Sequence, residues 1–97
     1  MGIYTCDDIG YNIDLSLFNK IKDKLNTDKI YNGIGEYEMI FFDDKYHTQN
    51  KKKIINVLTE ILDDNVNNIE VWHLKRSIYT YCRPMKINVV SMVKIKN

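Results

Sequence analysis

Two stretches with apolar residues at spacings of three and four, a two-residue alternation between them, and a last third dense in β-branched and aromatic residues predict a small α+β domain. The expected order is β-α-β-α-β-β-β, a mixed or mainly antiparallel sheet with two helices on one face. Ninety-seven residues make a single domain, 1–97, with no repeat, linker or low-complexity tract.

Residues 2–6 read as a short strand, and Asp7, Asp8 and Gly10 as a turn after it. Asp14 suits the N-cap of a helix over 15–25, because its carboxylate can accept from the free amides of the first turn. Leu17, Phe18, Ile21 and Leu25 form the apolar stripe of that helix, and Asn26 fits its end. Residues 29–35, with Asn32-Gly33, read as a turn or loop.

From 36 to 42 the chain alternates, Tyr37, Met39 and Phe41 against Glu36, Glu38, Ile40 and Phe42, as expected of a strand whose far end enters the core. Residues 43–50 read as polar connection, and a second helix as running from about 51 to 63, with Asn50 or Thr48 as its cap. Ile54, Ile55, Leu58, Ile61 and Leu62 make its apolar face. Three strands close the chain, over 69–74, 77–82 and 85–96, with Arg83-Pro84 as the last reversal. In the final one Ile87, Val89, Val93 and Ile95 fall on one side of the alternation, as in a half-buried strand.

Charge is unevenly distributed. Net charge is +1, but residues 1–48 carry −4 and residues 49–97 carry +5. After Glu70 there is no acid, while Lys75, Arg76, Arg83, Lys86, Lys94 and Lys96 follow. Opposite-signed halves suit packing of one on the other, or a charged partner whose approach they steer. Lys51, Lys52 and Lys53 are expected in the first turn of the second helix, where the macrodipole already disfavours cations. An anionic partner at that helix start, or neutralisation by nearby acids, answers the conflict.

Ile, Lys, Asn and Tyr supply 44 of the 97 residues and Ala is absent, the imprint of AT-rich coding that viruses, phages and low-GC bacteria share. Two cysteines, Cys6 and Cys82, no leader and no apolar run long enough for a membrane span make a reduced cytoplasmic setting the expectation, that of the host cell for a viral protein. A Cys6–Cys82 bridge stays open at this level.

The chemistry on offer is thin. Cys6, Cys82, His47 and His73 supply the parts of a thiol enzyme or a zinc site, yet they lack the closely paired spacing that presents two donors to one metal. Asp7-Asp8, Asp43-Asp44 and Asp63-Asp64 are expected as solvated turn residues, although Glu36, Glu38, Asp43, Asp44 and Lys45 form a loose metal-nuclease set. No Gly-x-Gly-x-x-Gly and no P-loop is present, and no cofactor or metal is expected.

These residues predict a non-enzymatic binding protein: a viral, phage or mobile-element accessory that inhibits a host factor, such as a defence nuclease or a toxin, by direct protein contact. The expected surface is the C-terminal sheet with Trp72, Lys75, Arg76, Tyr79, Tyr81 and Arg83, joined by Lys51, Lys52 and Lys53. A small nucleic-acid-binding protein using the same rings and cations is the alternative, and a metal-dependent nuclease a further one. The expected partner is a host protein, with nucleic acid or a second copy of the chain left open and no membrane expected.

Overall fold

β1 (Tyr4–Tyr11), the first strand, lies in the middle of the sheet, although three of its eight residues, Asp7, Asp8 and Gly10, are turn-like. In the computed structural model, which describes residues 4–34, 37–78 and 87–95, the chain continues through a 3₁₀ turn at Leu15–Leu17 into α1 (Phe18–Leu25). There follow β2 (Ile30–Ile34), β3 (Tyr37–Asp43), α2 (Asp44–Leu62), a 3₁₀ segment at Asp63–Asn68, β4 (Val71–Ile78) and β5 (Ile87–Ile95). The five strands form one antiparallel sheet in the order β2-β3-β1-β4-β5.

The α+β class, the two helices and the antiparallel sheet match the sequence reading, and the order differs in detail. The stretch expected as a turn or loop at 29–35 contains β2, and where strands at 69–74 and 77–82 were expected with a break between them, the chain runs unbroken through β4; residues 79–82 and the Arg83-Pro84 reversal lie outside the described residues. Gly33 has φ +64° and sits where the β2–β3 register shifts between Asn32 and Ile34, so its left-handed freedom serves a bulge within a strand.

β1 departs furthest from expectation because its turn-like residues have distant partners. Asp8 meets Arg76 of β4 in a buried ion pair, and Gly10 makes room for the ring of Phe41 across the β1–β3 ladder. A Cβ at Gly10 would stand 2.6 Å from Phe41 Cε1. Both residues are therefore what a central strand needs here.

The helix ends agree with the cap chemistry. Asp14 accepts from the Ser16 amide at 2.9 Å, and Asn26 ends α1 in the left-handed region at φ 51°. α2 begins well before Lys51, where Asp43 caps it by accepting from the Tyr46 amide at 3.1 Å. Asn50, at φ −126° and ψ 21°, interrupts it, and its side-chain amide donates to the Tyr46 carbonyl at 3.0 Å, satisfying a group that the kink frees. Lys51, Lys52 and Lys53 thus follow the kink and open the second of the two helical segments that Asn50 divides, where the sequence placed them; all three are exposed, and Lys53 Nζ donates to the Leu25 carbonyl at the end of α1 at 3.5 Å.

The sheet has two unlike faces. Under the helices Ile9, Tyr11, Ile40 and Phe42 pack with Ile21, Leu25, Ile54 and Leu58 in the main core. On the other face Phe41, Met39, Leu74 and Ile34 form a smaller cluster flanked by Tyr31, Tyr37, Trp72 and Met92. α2 packs on β1 and β3, and α1 on α2, with Lys24 joining Glu60 at 3.0 Å between them. Helix cover stops short of β5, where Val93 is 60% exposed and Ile95 37%.

Candidate functional site

Alternation along β4 separates the side chains expected to act together. Trp72, Leu74 and Arg76 face away from the helices, whereas Val71, His73 and Lys75 face the helix side. Trp72 and Lys75 therefore lie on opposite faces and cannot serve one contact. Arg76, expected as an outward cation, is buried: its Nε donates to Asp8 Oδ2 and its guanidinium lies 5.8 Å from the Tyr31 ring centroid. A fixed cation beneath a carboxylate that would otherwise be stranded is a structural role. Tyr79, Tyr81 and Arg83, with Cys82 and Glu36, lie outside the described residues.

The open face offers little free charge near Trp72. Its indole Nε1 donates to Glu70 at 3.4 Å, and Lys94, the cross-strand neighbour of Trp72, reaches the same carboxylate at 3.4 Å. Asp8 shares this face. Burial pushes its carboxyl up from the ordinary value, with Arg76 pulling against that, and its Oδ1 has no hydrogen-bond partner.

The carboxylates of the loose nuclease set do not converge. Asp43 is the cap of α2, while Glu38 stands five residues earlier on the same strand and on the opposite side of it, about 17 Å away by strand geometry. Among the described residues no three His, Cys, Asp or Glu side chains are grouped as metal ligands would be. Cys6 is a free thiol, and His73 Nε2 lies 3.8 Å from Asp7.

The feature with most shape is on the helix side. A groove of about 430 Å³ runs between α2 and the β4–β5 half of the sheet, walled by Ile9, Ile55, Val66, Ile69, Val71 and Ile95. Its polar lining is Tyr11, His47, Lys51, Thr59 and Asn67. Tyr11 Oη and His47 Nε2 are 2.6 Å apart. Burial raises the Tyr11 phenol to about 12 and lowers the His47 imidazole, assisted by the Lys51 charge. At neutral pH the phenol keeps its proton and donates to a neutral ring. Lys51, one helical turn beyond His47, is exposed and is the charged group of the lining, which among the described residues includes no carboxylate.

The exposed part of β5 continues this groove. Val93 pairs with His73 and Ile95 with Val71, so both lie on the helix side, beyond the reach of α2. They are the exposed large apolar side chains among the described residues. The two-residue alternation in the sequence assigned them to a buried row. In the ladder that row is broken, because Lys75 pairs with Ser91 and Arg76 with Val89, leaving Val90 unpaired. His47 was also misplaced, in a polar connection. Extending the Ile54, Leu58, Ile61 stripe back by seven residues lands on it, which is the signal that could have found it.

Comparison with family models, with characterised proteins and with solved structures gave no match. The site is therefore read from its own chemistry.

Proposed function

We propose that this chain is a non-enzymatic binding module that engages another protein through the helix-side face of β4 and β5, with the groove beside α2 as the centre of the contact. The observation that carries this reading is the exposure of Val93 and Ile95 side by side on an edge strand, over the half of the sheet that the helices leave bare. Scattered apolar side chains on a surface are ordinary, but two that continue an apolar groove make a patch of the kind partners cover. Covering one such side chain contributes at most about 1.5–3 kcal/mol, the value for a wholly exposed one, and less for Ile95, which is 37% exposed. The AT-rich coding imprint and small size fit an accessory protein of a virus, phage or mobile element that restrains a host protein by contact.

Nucleic acid is the weaker reading. Arg76 is spent on Asp8 and Lys94 is drawn to Glu70, so two of the cations near Trp72 already have anionic partners. A phosphate-binding surface needs its cations free to displace counterions.

Affinity capture from nuclease-treated host lysate tests the reading, with the wild-type chain beside Val93→Asp, Ile95→Asp and Trp72→Ala. A specific protein held by wild type and Trp72→Ala, and lost by both aspartate variants, is the expected result. Equal retention by all four removes the β4–β5 face from the reading.

A further inference from the structure

Strand spacing limits what can fill the bare half. Neighbouring strands lie about 4.8 Å apart and a helix with its side chains is about 10 Å across, so two strands offer the width of one helix. α2 occupies that layer over β1 and β3, and the groove marks where the layer ends. β4 has eight residues, a run of about 27 Å, which about 18 helical residues would span. The strip of β4 and β5 beside α2, bounded at the Val71 end by Val66, Asn67 and Ile69, thus has the width of one further helix.

The floor and rim specify the character of that helix. Val71, Val93 and Ile95 present an apolar strip, the demand of an amphipathic helix with apolar residues three and four apart. Lys51 stands in the groove lining, whereas the exposed Lys75, further along the same face, lies directly opposite Asp7 of β1, which also has His73 Nε2 at 3.8 Å, so Lys51 is the cation that the groove offers a partner. The groove lining itself includes Lys51 and no carboxylate among the described residues. A second copy of the chain does not supply the complement through α1, whose outer positions hold Lys20, Lys22 and Lys24 against one Asp23.

We infer that the occupant is an amphipathic helix of the partner protein with acidic residues along its polar flank, laid beside α2 on β4 and β5. This rests on the protein-binding reading above and names the partner element. The apolar stripe covers Val93 and Ile95, and the acidic flank meets Lys51. Complementary charge sets the direction in which the helix lies and excludes basic helices.

Two synthetic peptides of about 18 residues test it, identical in a Leu stripe and differing only in Glu or Lys on the flanks. Binding to the full chain is measured by isothermal titration, and the bound conformation by circular dichroism. The Glu peptide is expected to bind and gain helix, with Ile95→Asp and Val93→Asp each weakening it about ten- to a hundredfold. Lys51→Glu is expected to weaken it about two- to fivefold and to improve the Lys peptide. Thermal melts of each variant confirm that the fold is kept.

Equal binding of the Lys peptide to wild type overturns the acidic assignment, and binding with a strand signature overturns the helix. Self-association of wild type that Val93→Asp abolishes gives the face to a second copy and overturns the inference as well. Absence of Glu-peptide binding, while lysate capture still depends on Val93, sinks the helix and leaves the binding function standing. Capture indifferent to Val93 removes both.

Discussion

Ile40 and Val93 are both β-branched residues of one sheet, yet Ile40 is fully buried and Val93 is 60% exposed. Neither side chain would be out of place in the other's environment. What separates them is the layer above: α2 lies over β1 and β3, and stops short of β5. Apolar side chains in the covered half hold the fold together, whereas Val93 and Ile95 in the bare half add less to it, which is why the proposed contact is placed on them. The two halves of one antiparallel sheet thus differ in environment because of where α2 stops.

The largest effect separating the halves is expected from the core. Phe42, with no exposure, packs edge-on to Tyr11 at 5.5 Å and beside Tyr46. Phe42→Ala should cost about 3–5 kcal/mol, the transfer of the ring plus the cavity it leaves, in urea denaturation. Arg76→Met should cost a similar amount, about 3–5 kcal/mol, because it strands a buried Asp8 carboxylate. Adding Asp8→Leu to Arg76→Met should restore most of that loss, since no buried charge then remains. A double variant no more stable than the single one would show that the pair is not what Arg76 contributes.

That pair also explains what could and could not be read from the chain. The ends of the first helical stretch were legible, because Asp14 and Asn26 act on backbone groups within a turn of themselves, whereas the start of α2 at Asp44 was missed. The apolar face of α2 was legible for the same reason, its period being local. The central strand was not. Asp8 and Gly10 carry turn chemistry, and only a partner 68 residues away and a ring on the adjacent strand make them strand residues. Val93 and Ile95 were misassigned because alternation shows which side chains share a face, and is silent on whether anything covers that face. The bulge at Val90 then divides a row that is continuous in sequence.

Gly10→Ala gives a smaller effect on the same strand. The new methyl would meet a fully buried Phe41 ring that has little room to yield, and a loss of about 1–3 kcal/mol is expected from denaturation. A neutral outcome would mean that Phe41 can move aside.

His47, in the groove wall, should report itself through pH. Burial, then the charge of Lys51, holds the His47 imidazole below its ordinary value of 6.5, with Asp44 pulling the other way. A depressed pKa in the fold means that this stability is fully present above 6.5 and is lost as pH falls through the lowered value. Asp8, held above its ordinary 3.8 chiefly by burial, acts in the opposite sense, gaining stability as it protonates. The difference between wild type and His47→Gln therefore isolates the imidazole. Wild type should lose more of its urea midpoint between pH 7 and 5 than the variant does, and parallel curves would place His47 in contact with water.

The smallest effect is the one on which the contrast turns. Val93→Asp puts a charge on a side chain already 60% in water, on an edge strand where charges are tolerated and blunt unwanted pairing. Its effect on stability should stay within about 0.5 kcal/mol, the range of surface substitutions away from special features. The same change in the covered half, Ile40→Asp, would bury a carboxylate with no partner provided for it, and should prevent folding. A loss above about 1 kcal/mol for Val93→Asp would mean that this residue is covered within the single chain, since a solvated side chain has no such packing to lose. The bare half would then be core, and its claim to be a docking face would go with it.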